Sequence, residues 1–288
     1  MFRVNWGDEQ MQWIAARYLM ASAIVGLLAG ACSPATTEPE RPTAAQATAI
    51  ALTDRPDLSA DAQAMPRLAG DSPADQRINA DLDAMDAAAL ENLTQCAADA
   101  ANGPGGSWSQ RINRPMVGPA YLTLQQHLDY DCGGAYPSVR FVAVTYDLAT
   151  GARVDWPRLV PGLGLAVSTF DDMPPGYVPL VRSDALGAWY GRRMLASPDA
   201  EWVEQCRGAW EGLGEQTFNI WADAQSNGVS VEPDFPHVMQ ACAERATLTL
   251  DDLRGFDADP ALVEAIATAH AAGNWAPKNA AQAATPAT

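Results

Sequence analysis

Three histidines stand among the residues that could do chemistry: His127, His237 and His270. None falls in an H-E-x-x-H arrangement, which sets two imidazoles on one helix face around a metal, and none accompanies a G-x-S-x-G nucleophile turn. His270 lies on an apolar helical stripe, the usual setting of a packed histidine. His237 follows Pro236 and stands five residues before Cys242, which makes it the best-placed possible site, against the plainer reading that it packs. Asp171 and Asp172 could pair as acid and base, but adjacent carboxylates in a loop normally face water. Tyr130, Tyr136 and Trp156 could line a pocket or belong to the core beside a strong strand. Gly133-Gly134 reads as a turn, because no Lys or Ser/Thr of a phosphate-binding loop follows it. Nothing assembles a nucleophile, a base and a group to orient the base. No catalytic residue, metal site or cofactor is therefore assigned.

Five cysteines remain to be placed. Cys32 stands apart near the N-terminus. Cys96, Cys132, Cys206 and Cys242 form an even set, which in an exported chain suggests disulfides. Four cysteines allow three pairings. Cys96–Cys132 and Cys206–Cys242 are the expected pairs, since each closes a loop of similar length and joins a predicted helix end to a predicted strand end. Zinc is the sharp alternative, but no C-x-x-C or Cys/His cluster is present.

Leu19 to Ala31 is a short apolar run, with Arg17 before it and Cys32 directly after. Basic flank, apolar stretch and small residues before a cut are the layout of a secretory signal. A run this short falls below the roughly 20 residues a spanning helix needs. Leu28-Ala29-Gly30-Ala31-Cys32 resembles the bacterial lipobox, whose cysteine is lipidated and becomes the mature N-terminus; Ala29 departs from the commoner Leu. The resemblance implies a lipoprotein signal peptide over 1–31 and a membrane anchor at Cys32. Ser33, by resemblance to sorted lipoproteins, favours the outer membrane, with the domain facing the periplasm or the surface. Asp8 and Glu9 sit awkwardly in such a leader, and Met11 offers a cleaner start. Residues 32–65, rich in Ala, Thr, Pro and acid, have the composition of a disordered tether, and residues 276–288 that of a disordered tail.

That leaves 66–275, a length suited to one domain, which at this size buries roughly 70% of its unfolded surface. The chain carries 35 acidic and 18 basic residues, a net charge of −17. Such a surface disfavours nucleic acid and anionic lipid heads, both polyanions, and suits a cationic partner or simple solubility.

The elements that must position any site follow from periodicity. Ile78, Leu82, Met85, Ala89, Leu93 and Cys96 form one helical stripe, with Ser72 as the expected N-cap. Its acidic face, Asp81, Asp83, Asp86 and Glu91, reads as solvated rather than metal-binding. Strands are expected at 108–113, 121–130 and 138–146. The last is apolar on both faces and is expected at the centre of its sheet. Asp147 to Gly151 reads as a tight turn with Gly151 left-handed. Helices are expected at 183–195 and from a Ser197-Pro198-Asp199 start to about Trp210, strands at 217–221 and 229–231 around an Asn227-Gly228 hairpin signal, and further strands at 237–242 and 247–250. A last helix begins at Asp259-Pro260 and stops at Gly273. Helix, strands, helices and strands without regular alternation predict an α+β fold, an antiparallel sheet packed by several helices and held by two disulfides.

Two motifs then point to a family. Gly133-Gly134-Ala135-Tyr136-Pro137 resembles a Gly-Gly-Ala-His-Pro turn, and Tyr146-Asp147-Leu148-Ala149-Thr150-Gly151 a Tyr-Asp-Leu-x-Thr-Gly turn. Both belong to the extracytoplasmic domain of RsiV-type proteins, which also precedes the catalytic domain of PdaC-type peptidoglycan deacetylases. Met65 to Gly70 ahead of Ile78-Asn79, and Tyr121 to Leu124, match in order. Tyr136 replaces the family histidine. The resemblance implies a single RsiV-like α+β domain with a non-catalytic binding role in the cell envelope. Its expected partners are a cationic lysozyme-like protein or peptidoglycan. RsiV-type proteins also restrain a sigma factor, a role that does not transfer because no cytoplasmic segment is recognisable. The alternatives are an envelope hydrolase with a site near His237, or a purely structural lipoprotein.

Overall fold

The computed structural model describes residues 49–101, 106–134 and 136–275. Cys32, the leader before it, the tether up to residue 48 and the 276–288 tail lie outside the described residues.

Part of the expected tether belongs to the fold. Strand β1 (Leu52–Thr53) pairs antiparallel with β2 (Arg67–Leu68). Gln63 N–H donates to the Gln110 carbonyl at 3.0 Å, and Gln110 N–H to the Asp61 carbonyl at 2.9 Å. Ala62 and Met65 are buried, with Met65 fully enclosed. Apolar residues in 49–65 are too sparse to show a period, and they are recruited one at a time by surfaces made elsewhere.

Helix α1 (Pro73–Ala100) starts from a capping box in which Ser72 and Asp75 each bond the other's backbone N–H. Its stripe of Ile78, Leu82, Met85 and Ala89 is buried. Ile78, Leu82 and Met85 pack on Leu122, Leu124, Val144 and Tyr146 of an antiparallel sheet. That sheet comprises β3 (Ser107–Val117), β4 (Tyr121–Asp131) and β5 (Ser138–Asp147), in the order β3-β4-β5. Strand β3 runs beyond its expected end because the register shifts between Asn113 and Met116, which lets Pro115 sit in the strand without breaking it.

The strand expected at the sheet centre is not there: β4 takes that place. Two-sided apolar character in β5 has another cause. Val144 and Tyr146 face α1, while Thr145 meets later strands, its hydroxyl accepting from Ala222 N–H at 3.2 Å. Its outer edge is met by Arg153, which bridges to Tyr146, and by Val154 N–H bonding the Thr145 carbonyl at 2.9 Å.

Beyond β5 come α2 (Trp156–Leu159), β6 (Ala166–Val167), β7 (Val181–Arg182), α3 (Asp184–Leu195) and α4 (Ala200–Trp210). Then follow β8 (Thr217–Asp223), β9 (Gly228–Pro233), β10 (Ala246–Thr249), α5 (Leu250–Gly255) and α6 (Pro260–Ala272). The second sheet is antiparallel throughout, in the order β10-β9-β8-β7-β6. Phe218, Ile220, Ala222, Val229, Val231 and Leu248 enter one core with α3, α5 and α6. The alternate positions of β8 and β9 carry Asn219, Trp221, Asp223, Ser230 and Glu232, all buried.

Two disulfides close the molecule, Cys96–Cys132 and Cys206–Cys242, with Cα separations of 4.6 and 5.5 Å. These are the pairs expected from the sequence. The strand expected over 237–242 is instead a 3-10 turn, His237–Cys242. Pro236 leads into it, and the Cys206 bridge holds its end against α4. Trp202 and Trp210 donate their indole N–H groups to the carbonyls of Ala241 and Cys242 at 3.3 and 3.0 Å. On the side away from β8, β9 pairs with β10. The fold is therefore α+β, with antiparallel sheets, helices packed on them and two disulfides.

Candidate functional site

His237 stands at the head of the 3-10 turn, where its ring stacks on Tyr136 with centroids 5.3 Å apart and planes 15° apart. Both rings are exposed. The two residues singled out for different reasons thus meet, across the gap between the start of β5 and the end of β9. The adjoining cleft holds about 570 Å³ and is lined by Tyr130, Ser138 to Phe141, Asn219, Glu232 to His237 and Gln240.

One lining residue, Phe141, is backed by a ladder of stacked groups. His127 lies on Phe141 at 4.5 Å, and the Arg245 guanidinium sits 5.1 Å from the Phe141 ring and 4.8 Å from that of Trp221. Arg245 also donates twice to Glu232 Oε2, at 3.0 and 3.2 Å. A guanidinium between two rings and paired with a carboxylate has little freedom to move, so the wall is set before any ligand arrives. Asn219 Nδ2 donates to the Phe141 carbonyl at 3.1 Å and Gln240 Nε2 to the Val139 carbonyl at 3.1 Å, fixing β5 to β8 and to the 3-10 turn.

Among the described residues no carboxylate pairs with His237, and its neighbour is a ring. Other sequence-selected residues lie apart from the cleft or hold the fold. His270 Nδ1 is 2.8 Å from the Ala224 carbonyl and its ring stacks on Trp275, the packed role expected of it. Asp171 and Asp172 are exposed. Trp156 is buried beside a separate cavity of about 340 Å³ next to β5 and β7. Tyr130 lines the cleft and stacks on Trp108 at 5.2 Å.

The motif residues build turns. Gly133, at φ 80°, donates its N–H to Asp131 Oδ1 at 3.0 Å; Gly134 and Pro137 are exposed. Asp147 Oδ1 accepts from Ala149 and Thr150 N–H at 2.9 and 3.0 Å. Gly151 has φ 72°, and a Cβ there would lie 2.4 Å from the Ala74 carbonyl oxygen, so only glycine lets the turn reach α1.

Three carboxylates of the α1 acidic face, Asp81, Asp83 and Asp86, expected in water, hold ion pairs. Asp81 accepts Arg153 at 2.7 and 3.0 Å and the Tyr146 hydroxyl at 2.6 Å. Burial, then the Asp81 charge, pushes the Tyr146 phenol well above its ordinary value. Asp86 pairs with Arg67 at 2.7 Å and accepts Met65 N–H at 2.9 Å. Burial alone would lower the Arg67 pKa, but its bonds to Asp83 and Asp86 and their charges raise it.

No protein-family model matches the chain, and no curated protein matches it. Among the described residues no group of three or more His, Cys, Asp and Glu is placed to hold a metal ion, and no helix is long and apolar enough to cross a membrane. Sequence reading missed Arg245, Glu232, Asn219 and Phe141 as the frame of the cleft. The available signal was the alternation of Asn219, Trp221 and Asp223 with Phe218, Ile220 and Ala222, which marks a strand whose second face is polar yet enclosed.

Proposed function

We propose that the chain is a lipid-anchored cell-envelope protein whose domain binds a ligand without transforming it. The observation that carries this reading is the setting of His237. Its ring is engaged by Tyr136, and Glu232, which lines the cleft, is paired with Arg245. A general base needs an orienting partner and reach to a nucleophile, and the His237 environment is built instead as a recognition surface. Two disulfides fit a domain that matures outside the reducing cytoplasm. Cys32, through the lipobox resemblance, supplies the anchor, with the outer membrane as its proposed destination.

The net charge of −17 favours a cationic protein partner of the lysozyme type, the partner that the RsiV resemblance suggests. Opposite net charges accelerate encounter and suppress wrong partners, and both effects weaken with salt. The test is retention of the full chain on immobilised lysozyme. Retention at about 10 mM salt that falls by about 150 mM, as the Debye length shrinks from roughly 30 to 8 Å, supports the partner. No retention at low salt removes it.

A further inference from the structure

We infer that the cleft between β5, β8 and the 3-10 turn takes a neutral saccharide chain. This rests on reading the domain as a binding module, and it names the ligand class of the cleft rather than of the whole surface. The charges at the cleft do not follow the charge of the chain. Glu232 is matched by Arg245, at 3.0 Å, and the other two charged lining residues, Arg140 and Asp234, are opposite in sign. A cation or an anion therefore gains little net attraction there, although the protein as a whole is strongly acidic.

The cleft offers rings and planar polar groups instead. His237 lines the cleft, and Tyr136, outside the lining and 68% exposed, stacks on it, so the pair extends the cleft as a solvent-facing aromatic platform. Tyr130 adds ring surface within. A pyranose ring presents an apolar C–H face that lies flat on such a platform, while its hydroxyls both donate and accept. The side chains beside the rings can answer in kind: the Asn219 and Gln240 amides carry donors and acceptors, the Arg140 guanidinium donates and the Asp234 carboxylate accepts. A cleft of about 570 Å³ lies within the size range of small-molecule sites and has room for a short oligosaccharide. The His127–Phe141–Arg245–Trp221 ladder fixes one wall in advance, so little ordering is needed on binding.

The test is calorimetric titration of the full chain with N-acetylchitotetraose and cellotetraose as neutral probes, and with tetralysine and a proline-rich peptide as competitors for the assignment. Saturable binding of a neutral tetrasaccharide, unchanged by salt, is the expected result. Tyr136→Ala and His237→Ala should each weaken it by about tenfold, the loss of one good contact. Val238→Ala, at an 87% exposed neighbour outside the lining, should leave it unchanged. Saccharide binding that both ring variants leave intact, failure of both neutral probes to bind, or tighter binding of either peptide overturns the inference. The salt-sensitive lysozyme retention is read separately, so loss of one result does not mimic loss of the other.

Discussion

Tyr136 and His237 stack at 5.3 Å from segments that come together only in the folded chain. One precedes β5 and the other follows β9, so the contact reports the approach of the two sheets. Because both rings are exposed, they contribute little to the core. His237→Ala should change stability by no more than about 0.5 kcal/mol, as for ordinary surface substitutions. Urea unfolding of the variant checks this; a larger loss means that the ring is part of the scaffold.

Gly151 is expected to be far less tolerant. Gly151→Ala places a methyl against the Ala74 carbonyl at a left-handed backbone position, where a side chain alone costs about 1–2 kcal/mol. Thermal unfolding should show a loss of at least that size with ligand binding retained in the folded fraction. A variant as stable as wild type would mean that the turn does not pack on α1 as described.

The Cys206–Cys242 bridge pins the 3-10 turn, and with it His237, to α4. Cys206→Ser with Cys242→Ser should cost roughly 2–4 kcal/mol in the loop-entropy account. Peptide mapping without reductant should recover Cys206 joined to Cys242 and Cys96 joined to Cys132. Any other pairing contradicts the fold described.

The sequence made α1, the 121–130 strand, the 138–146 strand, the late helices and both bridges legible, since each carries a local signal: a stripe, an alternation, a cap or an even cysteine count. What it hid depends on partners distant in the chain. Ala62 and Met65 look like tether residues until Gln110 and Asp86 meet them. Asp81 and Asp86 look solvated until Arg153 and Arg67 arrive. The turn at 237–242 looks like a strand because its disulfide and the two tryptophans of α4, which decide its path, lie elsewhere. His237 could be chosen from the sequence, but Arg245 and Phe141, which shape the wall beside it, could not.

Asp81 ties α1 to β5 and to the chain beyond it through Tyr146 and Arg153, with both ion-pair side chains only about a quarter exposed, at 28% and 26%. Asp81→Asn leaves Arg153 without its countercharge and should cost about 1–3 kcal/mol. Chemical denaturation measures it. An effect below about 0.5 kcal/mol would place the pair among weak surface bridges.

Alkaline pH gives an independent check. Burial and neighbouring carboxylates raise the Tyr146 and Tyr190 phenols in the fold, Tyr190 beside Glu232 and Glu244. Their neutral forms are favoured when folded. The stabilisation is complete below the unfolded value, about 10, and is lost as pH rises above it. Stability of the wild type should fall from about pH 10 upward, and the gap to a Tyr146→Phe, Tyr190→Phe double variant should narrow over the same range. A gap independent of pH would show that the phenols do not sense burial as described.

The central claim, binding without turnover, is tested most directly by recovering the ligand. The full chain is incubated with wall-derived oligosaccharides and, in a separate incubation, with lysozyme; the bound fraction is released, and its mass is measured against time. Intact masses, with the bound amount saturating in proportion to protein, are the predicted result. New product masses that accumulate with time and disappear in His237→Ala would contradict it and assign the cleft to a hydrolase.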